Sequence, residues 1–209
     1  NPLISQQELA EKAGITRSSA AVHISNLMKK GYIAGRGYLL REEKYIVVVG
    51  GVNMDIGAVS ADRLVARDSN PGRVTTSLGG VGRNIAHNLC LLGEQTAMVT
   101  VLGQDAFAQS VQENAADIGL DLHHSATIPG GRTGTYLFID DCDGDMALAV
   151  NDMSIYDHMT PEFLRQRLDF INHAGLVVVE TNLPESSLHW LCEHCTAPML
   201  ADPVSTIKA

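Results

Sequence analysis

Apolar residues recur along this chain with two different periods, and the change of period divides it. Leu9 and Ala13 lie four apart between Ser5 and Gly14, the spacing of one helix face. Ser5 with Glu8 three positions on forms a capping box, and Gly14 is a helix stop. Thr16 opens a second helix, roughly 17–30, with Ala20, Ile24, Leu27 and Met28 on its apolar face and Gly31 after it. Tyr32–Leu40, turning at Gly35-Arg36-Gly37, predicts a tight hairpin. The charged run Arg41–Lys44 then reads as a linker.

From Tyr45 the pattern changes. Tyr45-Ile46-Val47-Val48-Val49 is continuously apolar, as in a strand buried on both faces of a parallel sheet. It runs through Gly50-Gly51 to Asn53-Met54-Asp55. Residues 56–78 alternate apolar and polar around the turn Ser69-Asn70-Pro71-Gly72. Gly79-Gly80-Val81-Gly82 opens a helix with Ile85, Leu89 and Leu92 on one face and Gly93 as its stop. Beyond it the pattern predicts a strand over 96–102, a helix near 105–118 and a short strand near 121–128. Thr133–Ile139 and Met146–Val150 read as a hairpin. A helix near 161–173, a strand Leu176–Glu180, a helix 184–195 and a strand 198–201 ending in Asp202-Pro203 complete the series. Strands alternating with helices predict a parallel sheet covered on both faces.

Length and composition add bounds. The 209 residues suffice for one sizeable domain and a small one. No apolar run is long enough to span a bilayer, and no secretory leader is read. Four scattered cysteines suit a reducing, cytoplasmic setting better than a disulfide framework. Charge is uneven: residues 1–44 carry seven Lys/Arg against four Glu, net +3, while the remainder carries −12. A small basic module thus precedes an acidic body.

The two N-terminal helices, joined by Gly14-Ile15-Thr16 and followed by a hairpin, resemble a winged helix-turn-helix over residues 1–41. That resemblance implies DNA contacts from Arg17, Ser18, Ser19 and His23 in a major groove and from Lys29, Lys30 and Arg36 on phosphates. A helical hairpin used only for packing or dimerisation is the plainer alternative. The usual first helix of the motif is absent and the chain starts at Asn1 without methionine, so residues upstream are expected.

Glycines at a helix entrance let a ligand approach the backbone and its free N–H groups, although an ordinary strand-to-helix loop has the same look. Here Gly79-Gly80-x-Gly82-x-Asn84-x-Ala86 is followed by Gly93 and Gly103 at set intervals. This resembles the first signature of the ribokinase-like (PfkB-type) carbohydrate and nucleoside kinases, over about residues 45–209. Neither a dinucleotide fingerprint nor a P-loop fits. Asp68–Gly72, Gly79–Asn84 and Ala149–Met153 are similar to the pseudouridine kinase branch of that family.

The resemblance implies an α/β fold: a three-layer sandwich with a β-lid formed by segments near 56–78 and 133–150. It implies substrate contacts from Asp55, Gly80, Gly82, Asn84 and Glu180, and puts Asp202 where the nucleotide half begins. By itself an aspartate such as Asp55 is more often a cap or turn residue. The implied reaction moves the ATP γ-phosphate, with Mg²⁺, onto a primary hydroxyl of a sugar or nucleoside, as in pseudouridine to pseudouridine 5′-phosphate. Expected partners are that small molecule, ATP and DNA; a homodimer is compatible and no membrane is expected. The family's catalytic Gly-Ala-Gly-Asp motif does not occur in these 209 residues. The base is therefore expected beyond residue 209, and the chain reads as the inactive substrate half of a longer kinase. The alternative is a DNA-binding regulator that senses a sugar without turnover.

Three other clusters attract attention. Cys192-Glu193-His194-Cys195 with His189 has metal-ligand residue types but reads as one helix. Asp140, Asp141, Asp143 and Asp145 lack the twelfth-position glutamate of a calcium loop. His123-His124 reads as surface. No metal site is expected.

Overall fold

The computed structural model describes residues 4–30 and 44–205. The chain separates into two compact units between Glu43 and Lys44. In the first, α1 (Gln6–Ala13) and α2 (Arg17–Lys29) are fixed by local chemistry. The Ser5 hydroxyl accepts the Glu8 N–H at 3.1 Å and the Thr16 hydroxyl accepts the Ser19 N–H at 3.2 Å. Gly14, at φ +65°, lets its own N–H return to Glu11 and that of Ile15 to Ala10. Ala10 and Ala20 are buried. Leu27 and Met28, expected on the packed face of α2, are instead 40% and 37% exposed. Arg17, Ser18, His23, Lys29 and Lys30 are exposed and Ser19 is half-buried. The hairpin Tyr32–Leu40 and Arg36 lie outside the described residues.

The second unit is built on a parallel sheet. β1 (Ile46–Val49) lies between β4 (Thr96–Val99) and β9 (Leu176–Glu180), and β10 (Met199–Asp202) pairs with β9. The pleat sends alternate valines to opposite faces. Val47, Val49, Val177 and Val179 pack against α5 (Pro161–Arg165), α6 (Leu168–Asn172) and α7 (Glu185–His194). Val48 and Met98 pack on the other face against α3 (Val81–Leu91) and α4 (Ala106–Ile118). This double coverage is why β1 is apolar at every position.

A second, mixed sheet leaves the carboxyl end of the first. Its order is β3 (Gly72–Gly79), β2 (Asn53–Ser60), β7 (Gly134–Asp140) and β8 (Met146–Asp152). Only the β2–β7 pairing is parallel. The acidic turn between β7 and β8 is a hairpin turn with Gly144 at φ +84°. Asp141 Oδ1 accepts the N–H groups of Leu64 and Cys142 at 3.1 and 2.7 Å.

The structure differs from the sequence expectations at five places. The strand over 96–102 is two, β4 and β5 (Val101–Leu102), divided at Thr100. There the Ser125 hydroxyl takes the Thr100 N–H and donates to Met98 O. β5 then turns to pair with β6 (Ala126–Thr127), which is all of the strand expected near 121–128 apart from a bridge at Asp121. The helix over 161–173 is broken between α5 and α6, where Arg167 lies over the Phe163 ring at 3.7 Å and bonds His124 O. Ser154–His158 forms a 3-10 helix that the pattern did not signal. His124 is half-buried and not without partners: it stacks on Phe170 at 3.6 Å, and its pKa is pushed down by burial and then by His123. Among the described residues no helix is long and apolar enough to cross a membrane.

Candidate functional site

The carboxyl ends of β1 and β9 meet the root of the second sheet around a cavity of about 290 Å³, where open α/β sheets bind ligands. Gly51, Asn53, Gly80, Tyr136, Asn151 and Asn182 line it, with Tyr156 and Met153 closing one side.

Its floor depends on interlocked glycines. A Cβ on Gly51 would stand 2.7 Å from the Tyr156 ring. One on Gly82 would stand 2.8 Å from Gly50 Cα, and one on Gly80 would stand 2.6 Å from Gly51 O. Gly80 also holds φ +96°, a conformation other residues rarely adopt. The first turn of α3 is thereby pressed onto the loop after β1, and the Arg83 N–H reaches Gly51 O at 3.1 Å. Gly82 was expected to cradle a ligand; it is buried and serves this packing. Gly80 does line the cavity.

Asp55 lies within β2 and not in a turn after β1. Its Oδ1 accepts the Asn53 amide at 2.5 Å. A Cβ on Gly79 would fall on its carboxylate, so the glycine leaves that space open. Burial pushes the Asp55 pKa up, and the bond from Asn53 opposes this. Asn53 and Gly80 line the cavity, and Asp55 is tied to it through its bond from Asn53 without itself standing among the lining residues.

Glu180 ends β9 and is fully buried. Its Oε1 accepts the Gly51 N–H at 2.8 Å and its Oε2 the Asn182 N–H at 3.0 Å. It braces two lining residues from behind, and does not stand among the lining side chains. The buried Tyr156 hydroxyl donates to Val52 O at 2.7 Å. Burial, then the Glu180 charge, pushes the Tyr156 pKa well above its ordinary value.

Asn84 and Asp202 are not in this cavity. They face an adjoining groove of about 430 Å³ between α3 and β10. Asn84 Oδ1 accepts from Arg83 and Asp202 Oδ1 accepts the Val204 N–H. The Cys192–Cys195 segment supplies two free thiols, and the His194 ring stacks on Trp190 at 4.4 Å. Among the described residues no three His, Cys, Asp or Glu side chains converge to hold a metal ion.

Asn53, Tyr136, Asn151, Met153, Tyr156 and Asn182 line the cavity without being among the site residues expected from sequence. Period-two alternation over Thr133–Ile139 carried a signal for Tyr136, because it sets which residues share a face. Tyr156 and Asn182 had none, since both arrive by tertiary packing. The assembled wall of amides, backbone groups and a nearby carboxylate suits a small ligand bearing several hydroxyls.

Comparison with known proteins bears on the fold and the family. The sequence model of the pfkB family carbohydrate kinases matches residues 43–203, and that of winged helix-turn-helix DNA-binding domains matches residues 1–34. The chain is 40% identical over 210 aligned positions to an uncharacterized sugar kinase, YeiI, of Escherichia coli strain K12, covering all of this chain and 58% of that protein. It is 37% identical to the pseudouridine kinase of the same organism, covering 81% of this chain and 54% of that one. A solved carbohydrate kinase from Agrobacterium tumefaciens superposes with a TM-score of 0.71 at 30% identity, over 79% of this chain and 55% of that one. The chain spans little more than half the length of these curated relatives. Its ribokinase-like sheet, its glycine-pinned helix entrance and the family match across residues 43–203 agree, and the chain belongs to the pfkB family of carbohydrate kinases.

Proposed function

We propose that this chain carries the acceptor-binding part of a cytoplasmic kinase that transfers the ATP γ-phosphate to a primary hydroxyl, with the 5′-hydroxyl of pseudouridine as acceptor. The observation that carries the reading is a cavity at the carboxyl end of β1 lined by Asn53 and Gly80, with the Asp55 carboxylate bonded to Asn53. The 37% identity to a pseudouridine kinase supports the choice of nucleoside. Asp55 accepts hydrogen bonds from the ribose hydroxyls, and Gly80 lets the sugar approach the backbone. Glu180 holds Gly51 and Asn182 at fixed spacing, and the second sheet acts as the lid that excludes water. Phosphoryl transfer depends on such positioning and on neutralising phosphate charge. Mg²⁺ supplies part of that neutralisation when bound to ATP, but the described residues offer it no protein cage.

The test is ATP consumption by the full-length protein against pseudouridine, uridine, inosine, ribose and fructose. Turnover strongest on pseudouridine is expected. Binding of a ligand with no turnover on any acceptor overturns it in favour of the second reading, a ligand-sensing DNA-binding regulator. That reading is favoured by the winged helix-turn-helix match and the exposed Arg17, His23, Lys29 and Lys30. It requires sequence-selective DNA binding that weakens steeply with salt.

A further inference from the structure

One row of side chains crosses the second sheet at right angles to its strands. β3 pairs with β2 at Ser77 and Asp55. β2 pairs with β7 at Asp55 and Tyr136, and β7 pairs with β8 at Tyr136 and Asn151. Cross-strand partners share a face, so Ser77, Asp55, Tyr136 and Asn151 stand side by side. Neighbouring strands are about 4.8 Å apart, which sets Asn151 about 10 Å along the row from Asp55. A free pentose held at Asp55 covers roughly the first of those spacings and leaves the second empty.

The chemistry changes along the row. At Asp55 it is a carboxylate with an amide beside it. At Tyr136 it becomes aromatic: the ring stands 5.8 Å from that of Phe138, and its hydroxyl reaches towards Met146 Sδ at 3.7 Å, so the ring leans along the sheet. Phe138 in turn packs over Gly57, where a Cβ would meet its ring. At the far end the Asn151 carboxamide lines the cavity and makes no hydrogen bond among the described residues. Met153 lines the cavity beside it. A flat apolar surface ending in one free donor and one free acceptor complements a planar ring that carries an N–H next to a C=O. A free sugar leaves that surface uncovered.

We propose that Tyr136, Asn151 and Met153 form an aglycone subsite that makes the site select a nucleoside over the free pentose. This rests on the reading above, in which Asp55 holds the sugar. Asn151 reads the heterocycle's polar edge, and Tyr136 and Met153 cover its face.

The experiment compares pseudouridine with ribose in the full-length protein and its Asn151→Leu, Tyr136→Ala and Tyr136→Phe variants. Asn151 is exposed, so Asn151→Leu leaves folding intact, which a thermal melt verifies. The ratio of kcat/KM for pseudouridine to that for ribose falls about tenfold or more in Asn151→Leu, because a donor–acceptor pair is lost. It falls in Tyr136→Ala and is largely kept in Tyr136→Phe, which retains the ring. An unchanged ratio in Asn151→Leu and Tyr136→Ala, or a wild-type protein that prefers ribose, overturns the subsite. If the wild type phosphorylates neither compound, it is the kinase reading that fails. Calorimetric affinities for the same two compounds then decide the subsite: a selective loss for pseudouridine in Asn151→Leu supports it, and equal affinities in variant and wild type overturn it.

Discussion

The Glu180 carboxylate accepts the Gly51 N–H at 2.8 Å, from a residue 129 positions away in the chain. With its second oxygen on the Asn182 N–H, it ties the ends of two neighbouring parallel strands into one rigid corner of the cavity. A buried carboxylate is costly unless such donors compensate it. Glu180→Gln turns one of the two N–H bonds into an N–H facing an NH₂ group, and is expected to cost about 1–3 kcal/mol, read by denaturant titration. The same substitution removes a charge that raises the Tyr156 pKa. The phenol should therefore ionise at lower pH in the variant, as followed by phenolate absorbance. An unmoved tyrosine titration would contradict the contact.

In the proposed function Asp55 exchanges stability for binding. Its pKa is raised chiefly by burial, so the folded state takes up its proton more readily than the unfolded chain. The stability it contributes is complete below the ordinary carboxylate value of 3.8 and is lost as pH rises through the raised one. Asp55→Asn should thus be more stable than wild type at neutral pH, with the gap closing in acid. It should also bind the sugar moiety at least about tenfold more weakly, since it replaces a charged acceptor. Melting curves across pH and calorimetry with pseudouridine test both halves.

Asp105 has the opposite sign. Burial pushes its pKa up, but N–H bonds from Ala108 and Thr133, the Thr133 hydroxyl and the Phe107 N–H together hold it below the usual value. It caps α4 and at the same time fixes Thr133, next to the start of β7. Its stabilising effect is present above the unfolded carboxylate value and disappears as pH falls through the lowered one. Asp105→Ala is expected to cost about 1–2 kcal/mol at neutral pH and progressively less in acid, measured by denaturant titration at each pH.

The glycines are separable by the same logic. Gly82→Ala places a methyl against Gly50 backbone, and overpacking of this kind costs about 1–3 kcal/mol. Gly80→Ala adds the strain of φ +96° to a clash with Gly51 O. Gly93 also has a positive φ, +87°, but open space around it, so Gly93→Ala should cost only about 1 kcal/mol. Thermal denaturation should rank Gly93→Ala as the mildest of the three, and calorimetry should show ligand affinity falling only for the first two.

A contact between the basic residues of α2 and DNA would also have a measurable signature. Replacing both Lys29 and Lys30 by alanine should lower the salt dependence of DNA affinity by about two in slope, one for each phosphate contact, as read by fluorescence anisotropy at several salt concentrations.

Much of the local structure was legible in the residues alone. Ser5, Gly14 and Thr16 mark the ends of α1 and α2 because caps are satisfied within a few residues. The unbroken apolar run at Val47–Val49 announces a strand covered on both faces, and the Gly79–Asn84 spacing gives the family. These signals are short-range, so sequence carries them directly. The placement of Glu180 behind the cavity, the interlocking of Gly82 with Gly50, the break at Arg167 and the row from Asp55 through Tyr136 to Asn151 had no such signal. Each joins residues distant in sequence, and each is settled by strand register and by which backbone donors burial leaves in need of a partner. The sequence determined that this chain builds a sugar-kinase scaffold. Only the tertiary structure decided which of its polar residues line the cavity and which hold up the wall behind it.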